Sequence, residues 1–459
     1  MMKLIAGEAT TSQEAAASGA PDRSPVRSRP LLLMERTLYR DGHVPFTCVF
    51  SIKLRGQLDK SPLRGALRRL QSKHPLLRCV VEDVRGRPCF VLRDDPAPIP
   101  LRIGDRLSED QWEEEVHREW INPFNGAVEP LVRLIWLRGS GIHNLILPAH
   151  HSICDGQGGI GLLQDLLRAY EHPESDPGSY DELGSLEDLV PPEVLQNPNF
   201  QRRLQWKRRQ LKYILWLKTC HRTQPAPIDP ESVYFHRTRL STNLTQALAE
   251  RSKAEHVTVF SPMALAFMQA FRDVRGIKAF KRAHAMVNAR RFVPSLRPDG
   301  LFGLSPGVQM HAKDLPATSD RNINTFWKRA RAIKSDLDQR VSHLGAGFYV
   351  YLAGLEGFHH RYDRVVDFFE QTPAIRNLTF SNLGRLELGR QYGGLNVEQV
   401  YSPLVMVSPT PAHTVVLSSF AGQMEYAIIS DEASLPRTGA GAISCRVVEV
   451  LQACAGGSR

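Results

Sequence analysis

Seven consecutive residues offer the plainest chemistry in this 459-residue chain: His150-His151-Ser152-Ile153-Cys154-Asp155-Gly156. An imidazole of ordinary pKa, about 6.5, is a general base at neutral pH once something fixes its ring. Successive side chains of a strand point to opposite faces, so only one of the two histidines can face a given cavity. Asp155 is placed to hold the loop through an ion pair, and Gly156 frees the backbone to turn. A metal site needs third and fourth ligands, and His143 is the only other histidine close in sequence. A satisfied pair of core histidines is the alternative reading of the same residues. Cys154 adjoins Asp155, whose charge raises a thiol pKa, and it reads as core rather than nucleophile.

The elements that must position these residues follow from pattern. Cys48 to Leu54 alternates as a strand, and Ser61-Pro62 reads as an N-cap with proline in the first turn of a helix. Leu63, Ala66, Leu67 and Leu70 line one face of that helix. Leu131–Leu137 and Leu145–Ala149 read as strands and Gly159–Tyr170 as a helix, which puts the histidines at a strand end just before a helix. Pro148 lacks a ladder donor and predicts an edge or a distortion there. Residues 1–30 read as a disordered leader, 31–175 as an N-terminal lobe, 176–230 as an acidic then basic linker, and 231–459 as a C-terminal lobe. Within the linker, Arg202–Arg222 places Leu204, Leu211, Ile214 and Leu215 opposite its cations. It reads as a connecting helix packed on a lobe, with an interfacial membrane helix as the alternative.

Composition bounds the function classes. Hydrophobic residues make up 42% and charged residues 23%, the balance of a water-soluble globular chain. The net charge of +10 favours anionic partners but is spread along the chain, so it alone argues for no nucleic acid. No apolar run is long enough to span a membrane, and the first residues lack a secretory signal's apolar core. The seven cysteines are scattered without CxxC or zinc spacing. The expectation is a cytoplasmic monomer without metal.

The heptad of residues 150–156 fits HHxxxDG, and here the chain resembles the CoA-dependent acyltransferase superfamily: condensation domains of nonribosomal peptide synthetases, plant BAHD enzymes, and polyketide-associated and alcohol acyltransferases. Three further segments resemble it in order. They are Ala66–Leu70 with His74-Pro75-Leu76-Leu77-Arg78, Pro123-Phe124-Asn125 with Pro130–Arg133, and Ser381-Asn382-Leu383-Gly384-Arg385-Leu386. The last is similar to the polyketide-associated branch, whereas the plant branch's DFGWG is absent. The resemblance spans about residues 31–452.

The resemblance implies an α/β fold, an α+β sandwich of two chloramphenicol-acetyltransferase-like lobes in pseudo-dimer arrangement with a central tunnel. It implies His151 as general base and Asp155 as structural acid, supported by His150 and Gly156. Asp155 would pair with an arginine from Asn288-Ala289-Arg290-Arg291, Arg290 ahead of Arg291. Ser381 and Asn382 are candidate oxyanion donors, with a turn-holding role as the alternative. The implied reaction moves an acyl group from acyl-CoA or a phosphopantetheinyl acyl carrier protein to an alcohol, with no permanently bound cofactor. Partners are then the thioester donor, a small alcohol or amine acceptor and a carrier protein, without nucleic acid or membrane contact. A stand-alone amide synthase and a non-catalytic carrier-protein-binding member are the alternatives.

Two other motifs fail on chemistry. Gly303-Leu304-Ser305-Pro306-Gly307 matches a nucleophile elbow, but that elbow uses the N–H after the serine, and Pro306 has none. Gly156-Gln157-Gly158-Gly159-Ile160-Gly161 matches a dinucleotide fingerprint, but a proline-rich acidic loop stands where its second strand should follow. Those glycines read as letting the helix start close to the site.

Overall fold

Strand alternation, helix amphipathicity and a long crossover build two lobes around separate sheets. The computed structural model describes residues 28–456 apart from 43, 45, 181–185, 220–228, 277–278, 281, 298, 311–321, 372–376 and 406–412. A small antiparallel sheet joins β1 (Ser28–Pro30), β3 (Cys79–Asp83) and β4 (Pro88–Leu92) in the order β1-β4-β3. Residues 1–27 of the expected leader lie outside the described residues, but its last three are this strand. Arg29 holds it in place: its guanidinium grips Glu35 with two hydrogen bonds, of 2.6 and 2.8 Å, in a buried bidentate pair.

The N-terminal lobe's sheet contains β2 (Thr47–Arg55), β5 (Leu101–Asp105), β6 (Leu134–Arg138) and β7 (Ile142–His150). The C-terminal lobe's sheet takes β8 (Val233–Arg239), β9 (Arg282–Met286), β10 (Gly307–Met310), β11 (Asn377–Arg385), β15 (His413–Phe420) and β16 (Gln423–Asp431), in the order β10-β9-β11-β15-β16-β8. Between β11 and β15 the chain leaves that lobe. There β12 (Gln391–Tyr392) and β13 (Leu395–Val400) extend the N-terminal sheet to β12-β13-β2-β7-β6-β5, and β14 (Leu404–Val405) pairs with β2 as well. The boundary expected at residue 231 therefore does not divide the strands. Backbone groups of β2 left open on one edge are satisfied by a segment from the other half of the chain.

Both faces of the N-terminal sheet are covered, so β2 and β7 are buried nearly throughout. Phe50, Ile52, Leu145 and Leu147 face the lobe's helices, while Val49, Ile135 and Ile146 meet Val416, Ala427 and Ile429 of β15 and β16 in a core between the lobes. Trp112 stacks on Tyr401 across that core at 3.9 Å. Pro148 lies in a central strand, not an edge. Its carbonyl accepts from Arg133 N–H, yet the β6 ladder stops at Ile135↔Ile146 and returns only as a bridge, Val132↔Ala149. The distortion falls on the partner, where the missing donor would have been needed.

Helix Lys60–Lys73 starts at Lys60 behind Asp59, two residues earlier than Ser61 as cap predicts. It is tied to helix Gly156–Glu171 through Asp165, which accepts from Lys73 at 2.7 Å and pairs with buried His74 at 2.8 Å. The expected linker is structured in part: Pro198–Thr219 is a single helix. Residues 181–185 and 220–228 of it lie outside the described residues.

Helix Gly156–Glu171 lies against the sheet because Gly159 has no side chain: a Cβ there would stand 2.0 Å from Phe50 Cζ. Phe50 is fully buried in β2 and cannot yield without repacking. Gly159→Ala is expected to destabilise the protein by about 1–3 kcal/mol, and Phe50→Leu in the same chain to recover part of the loss. Urea denaturation of the single and double variants measures this, and independent, additive losses would show that the contact is not limiting.

Candidate active site

The two histidines part where β7 ends. His150 is the strand's last residue and His151 the first of the turn that follows. His150 is buried between Tyr39 and Phe124, with ring centroids 5.6 and 6.0 Å away. Its Nδ1 accepts the backbone N–H of Ser152 at 3.1 Å, so the neutral ring carries its proton on Nε2. Burial, reinforced by His151 beside it, pushes its pKa down to about 3. It stays neutral and structural at physiological pH.

His151 has the opposite tautomer. Its Nδ1 lies 3.0 Å from the carbonyl oxygen of Cys154, and a carbonyl can only accept. The proton is therefore on Nδ1 and the lone pair on Nε2. The ring borders a cavity of about 490 Å³ whose walls are largely apolar, among them Met34, Phe46, Phe50, Leu304, Phe348 and Val416. Burial holds the His151 imidazole below the usual histidine value, against a smaller opposing pull from Asp155.

Asp155 turns away from the ring and fastens the loop. Its Oδ1 caps helix Gly156–Glu171 by accepting from Gly158 N–H at 2.8 Å, and its Oδ2 accepts from Arg290 Nη1 at 2.6 Å. Arg290 comes from the other lobe and is spent on that lobe's own loop as well. Its Nε donates to the Arg297 carbonyl at 3.0 Å and its Nη2 to that of Gly300. Arg291 is exposed. Cys154 is buried with its thiol pKa raised well above the ordinary value by burial, and Cys48 Sγ lies 3.8 Å from its carbonyl.

Of the two sequence readings of Gly156, a freed turn and a close helix start, the geometry fits the second. Its φ lies outside the left-handed region, and a Cβ there would stand 2.3 Å from Leu383 Cδ2 of β11. Ser381 and Leu383 line the cavity with Thr379, whereas Leu378 and Phe380 face the lobe's core. Asn382 lies off the cavity; its side-chain oxygen accepts from Gly384 N–H at 3.1 Å beside a bulge in β11. The structure thus brings His151, Asp155, Gly156 and Ser381 to one cavity and pairs Arg290 with Asp155, with His150 buried behind and Asn382 off the cavity.

Sequence reasoning missed several walls. Gly303 packs so closely that a Cβ would stand 2.0 Å from the carbonyl oxygen of His151, and Ser305 lines the same cavity. The rejected elbow is indeed a loop, and its first glycine seats the loop against the histidines. Thr379 was reachable by stepping back two residues from Ser381 on a strand. Met34 and Leu38 come from helix Leu33–Tyr39, far away in sequence, and no spacing signals them.

Among the described residues no group of three or more His, Cys, Asp and Glu could hold a metal ion. No helix among them is long and apolar enough to cross a membrane.

Residues 38–181 match the Condensation domain family. Cyclosporin synthetase simA of Tolypocladium inflatum is 27% identical over 284 residues, 61% of this chain but 2% of that protein. The chain spans a few hundredths of the length of the curated relatives it matches. In fold it is similar to the TRI3 trichothecene 15-O-acetyltransferase of Fusarium sporotrichioides, with TM-score 0.68 and 14% identity over 93% of this chain and 95% of that one. Polyketide synthase associated protein 5 of Mycobacterium tuberculosis gives TM-score 0.62 and 17% identity over 92% and 98%. Residues 38–181 thus carry the Condensation domain match, and the fold as a whole is similar to that of these two proteins.

Proposed function

We propose that this protein transfers an acyl group from a thioester, on CoA or a carrier protein, to an alcohol, with His151 as general base. The observation that carries the reading is the His151 ring, pinned through Nδ1 to the Cys154 carbonyl and bordering an apolar cavity. An acceptor O–H donating to Nε2 loses its proton to the imidazole as its oxygen attacks the thioester carbonyl. The tetrahedral intermediate then collapses, the C–S bond breaks, and the imidazolium returns the proton to the departing thiolate. The ester and a free thiol result, and no covalent acyl-enzyme is needed. Ser381 is the candidate donor to the developing oxyanion, a role that counts only if its hydroxyl is fixed where the charge forms. An apolar wall excludes water, which would otherwise compete as acceptor.

Product mass spectrometry with a panel of acyl-CoAs, acyl carrier proteins, alcohols and amines tests this directly. An ester is expected from wild type, falling roughly 10²- to 10⁴-fold in His151→Ala. An amide instead would reassign the acceptor, and folded protein giving no product with any donor would support a binding-only role.

The neutral imidazole is the reactive form, and burial lowers its pKa. The acid limb of kcat/KM is therefore expected below pH 6.5, the ordinary histidine value. A limb at or above that pH contradicts the assigned environment.

Asp155 acts through position. Asp155→Ala leaves the Arg290 guanidinium buried without its carboxylate and should cost about 3–5 kcal/mol of stability as well as turnover. His151→Ala should cost turnover alone. Melting of the two variants beside wild type separates the roles, and an Asp155→Ala protein that melts like wild type contradicts the one given to Asp155.

A further inference from the structure

The helix Pro198–Thr219 has two apolar faces, one buried in the fold and one largely exposed. Leu204 and Leu215 are buried, with Leu211 beside them, against helices Leu344–Glu356 and Tyr362–Gln371. Arg208 fixes the contact by donating to the Ala353 carbonyl at 2.9 Å. Ile214, grouped with this stripe by the sequence pattern, instead points outward and is 40% exposed. Trp206, Tyr213 and Leu217 recur at seven and four residues on the side opposite the buried stripe. Trp206, Tyr213 and Trp216 are 56%, 60% and 56% exposed. Five of the eleven large apolar side chains exposed among the described residues lie on this one helix, a concentration that scattered surface residues do not produce.

Charge narrows the occupant. The 22 residues of the helix hold seven Lys and Arg and no Asp or Glu. A second copy would bring the same cations against these. An acidic protein would meet the cations but leave Ile214 and Leu217 facing polar groups. An anionic bilayer surface matches both features, because phosphates lie above an apolar layer and Trp and Tyr favour the boundary between them.

We propose that the outward face of Pro198–Thr219 docks on an anionic lipid bilayer, its cations on headgroup phosphates and its aromatic rings and Leu217 at the acyl-chain boundary. The surface does not depend on the acyl-transfer reading. The bilayer would then lie one helix away from the active-site cavity, since Phe348 of Leu344–Glu356 lines that cavity from behind.

Co-sedimentation of the full chain with phosphatidylcholine vesicles, with and without phosphatidylglycerol, is the test. Binding is expected with phosphatidylglycerol at low salt and should weaken as salt rises. The variant Trp206→Ser/Tyr213→Ser/Trp216→Ser should lose about tenfold or more in partitioning while melting like wild type. Lys207→Gln/Arg209→Gln/Lys212→Gln should lose the preference for anionic vesicles, and it decides the matter if the aromatic variant fails to fold. No vesicle binding at low salt overturns the proposal, as does equal binding by the aromatic variant. Lipid-free self-association, or capture of an acidic carrier protein, that depends on the same residues would reassign the face and overturn it as well.

Discussion

The ion pair between Asp155 and Arg290 joins residues 135 positions apart and carries the site across the lobe boundary. A buried pair is costly to desolvate and stabilises only when its remaining hydrogen-bonding capacity is used. Here it is used on both sides. Asp155 also caps the helix that follows it, and Arg290 also binds the carbonyls of Arg297 and Gly300. Its value lies in position. Fixing Asp155 fixes Cys154 next to it, and the Cys154 carbonyl sets the tautomer and direction of His151. The His151 ring is aimed by the backbone and Asp155 holds that backbone, so the carboxylate has no need to touch the ring.

Close approach does the rest, and glycine permits it at several points around the same turn. Phe50 reaches the helix at Gly159, Leu383 of the second lobe reaches it at Gly156, and the loop at Gly303 lies on the backbone of His151. The lobes therefore meet at the histidines with almost no intervening side chain. That leaves the imidazole partly dehydrated, which lowers its pKa and keeps it in the form that can accept a proton.

The parts legible in the sequence were those encoded locally. The histidine heptad, the strand before it and the helix after it are contiguous, and short-range alternation and periodicity specify them. The Asp155 partner was legible only through resemblance, because nothing in the spacing of Asn288–Arg291 separates Arg290 from Arg291. The structure separates them by burial. The crossover of β12 to β14 was not legible, since its strands are short and any open edge of either sheet could have taken them. Gly156 was legible as a glycine that lets the helix start close to the site, but a sequence does not show the Leu383 that fills its space. Ile214 was grouped with the buried leucines because a wheel cannot say how wide a stripe the neighbouring helices cover.

The crossover also decides how substrates reach His151. Opening the lobes like a hinge would require breaking the bridge from Arg237 to Glu113, the contacts of Val49, Ile135 and Ile146 with Val416, Ala427 and Ile429, and the hold of the crossover on one of the two sheets. These interactions lie in one inter-lobe core, so they would be lost together, and the Asp155–Arg290 pair with them. The cavity beside His151 is then reached while the lobes stay docked. In the proposed reaction the thioester and the acceptor would have to reach a fixed imidazole, past walls that come from both halves of the chain. In that proposal selectivity would rest on wall residues such as Met34, Phe348 and Thr379, whose spacing in the sequence carries no common signal.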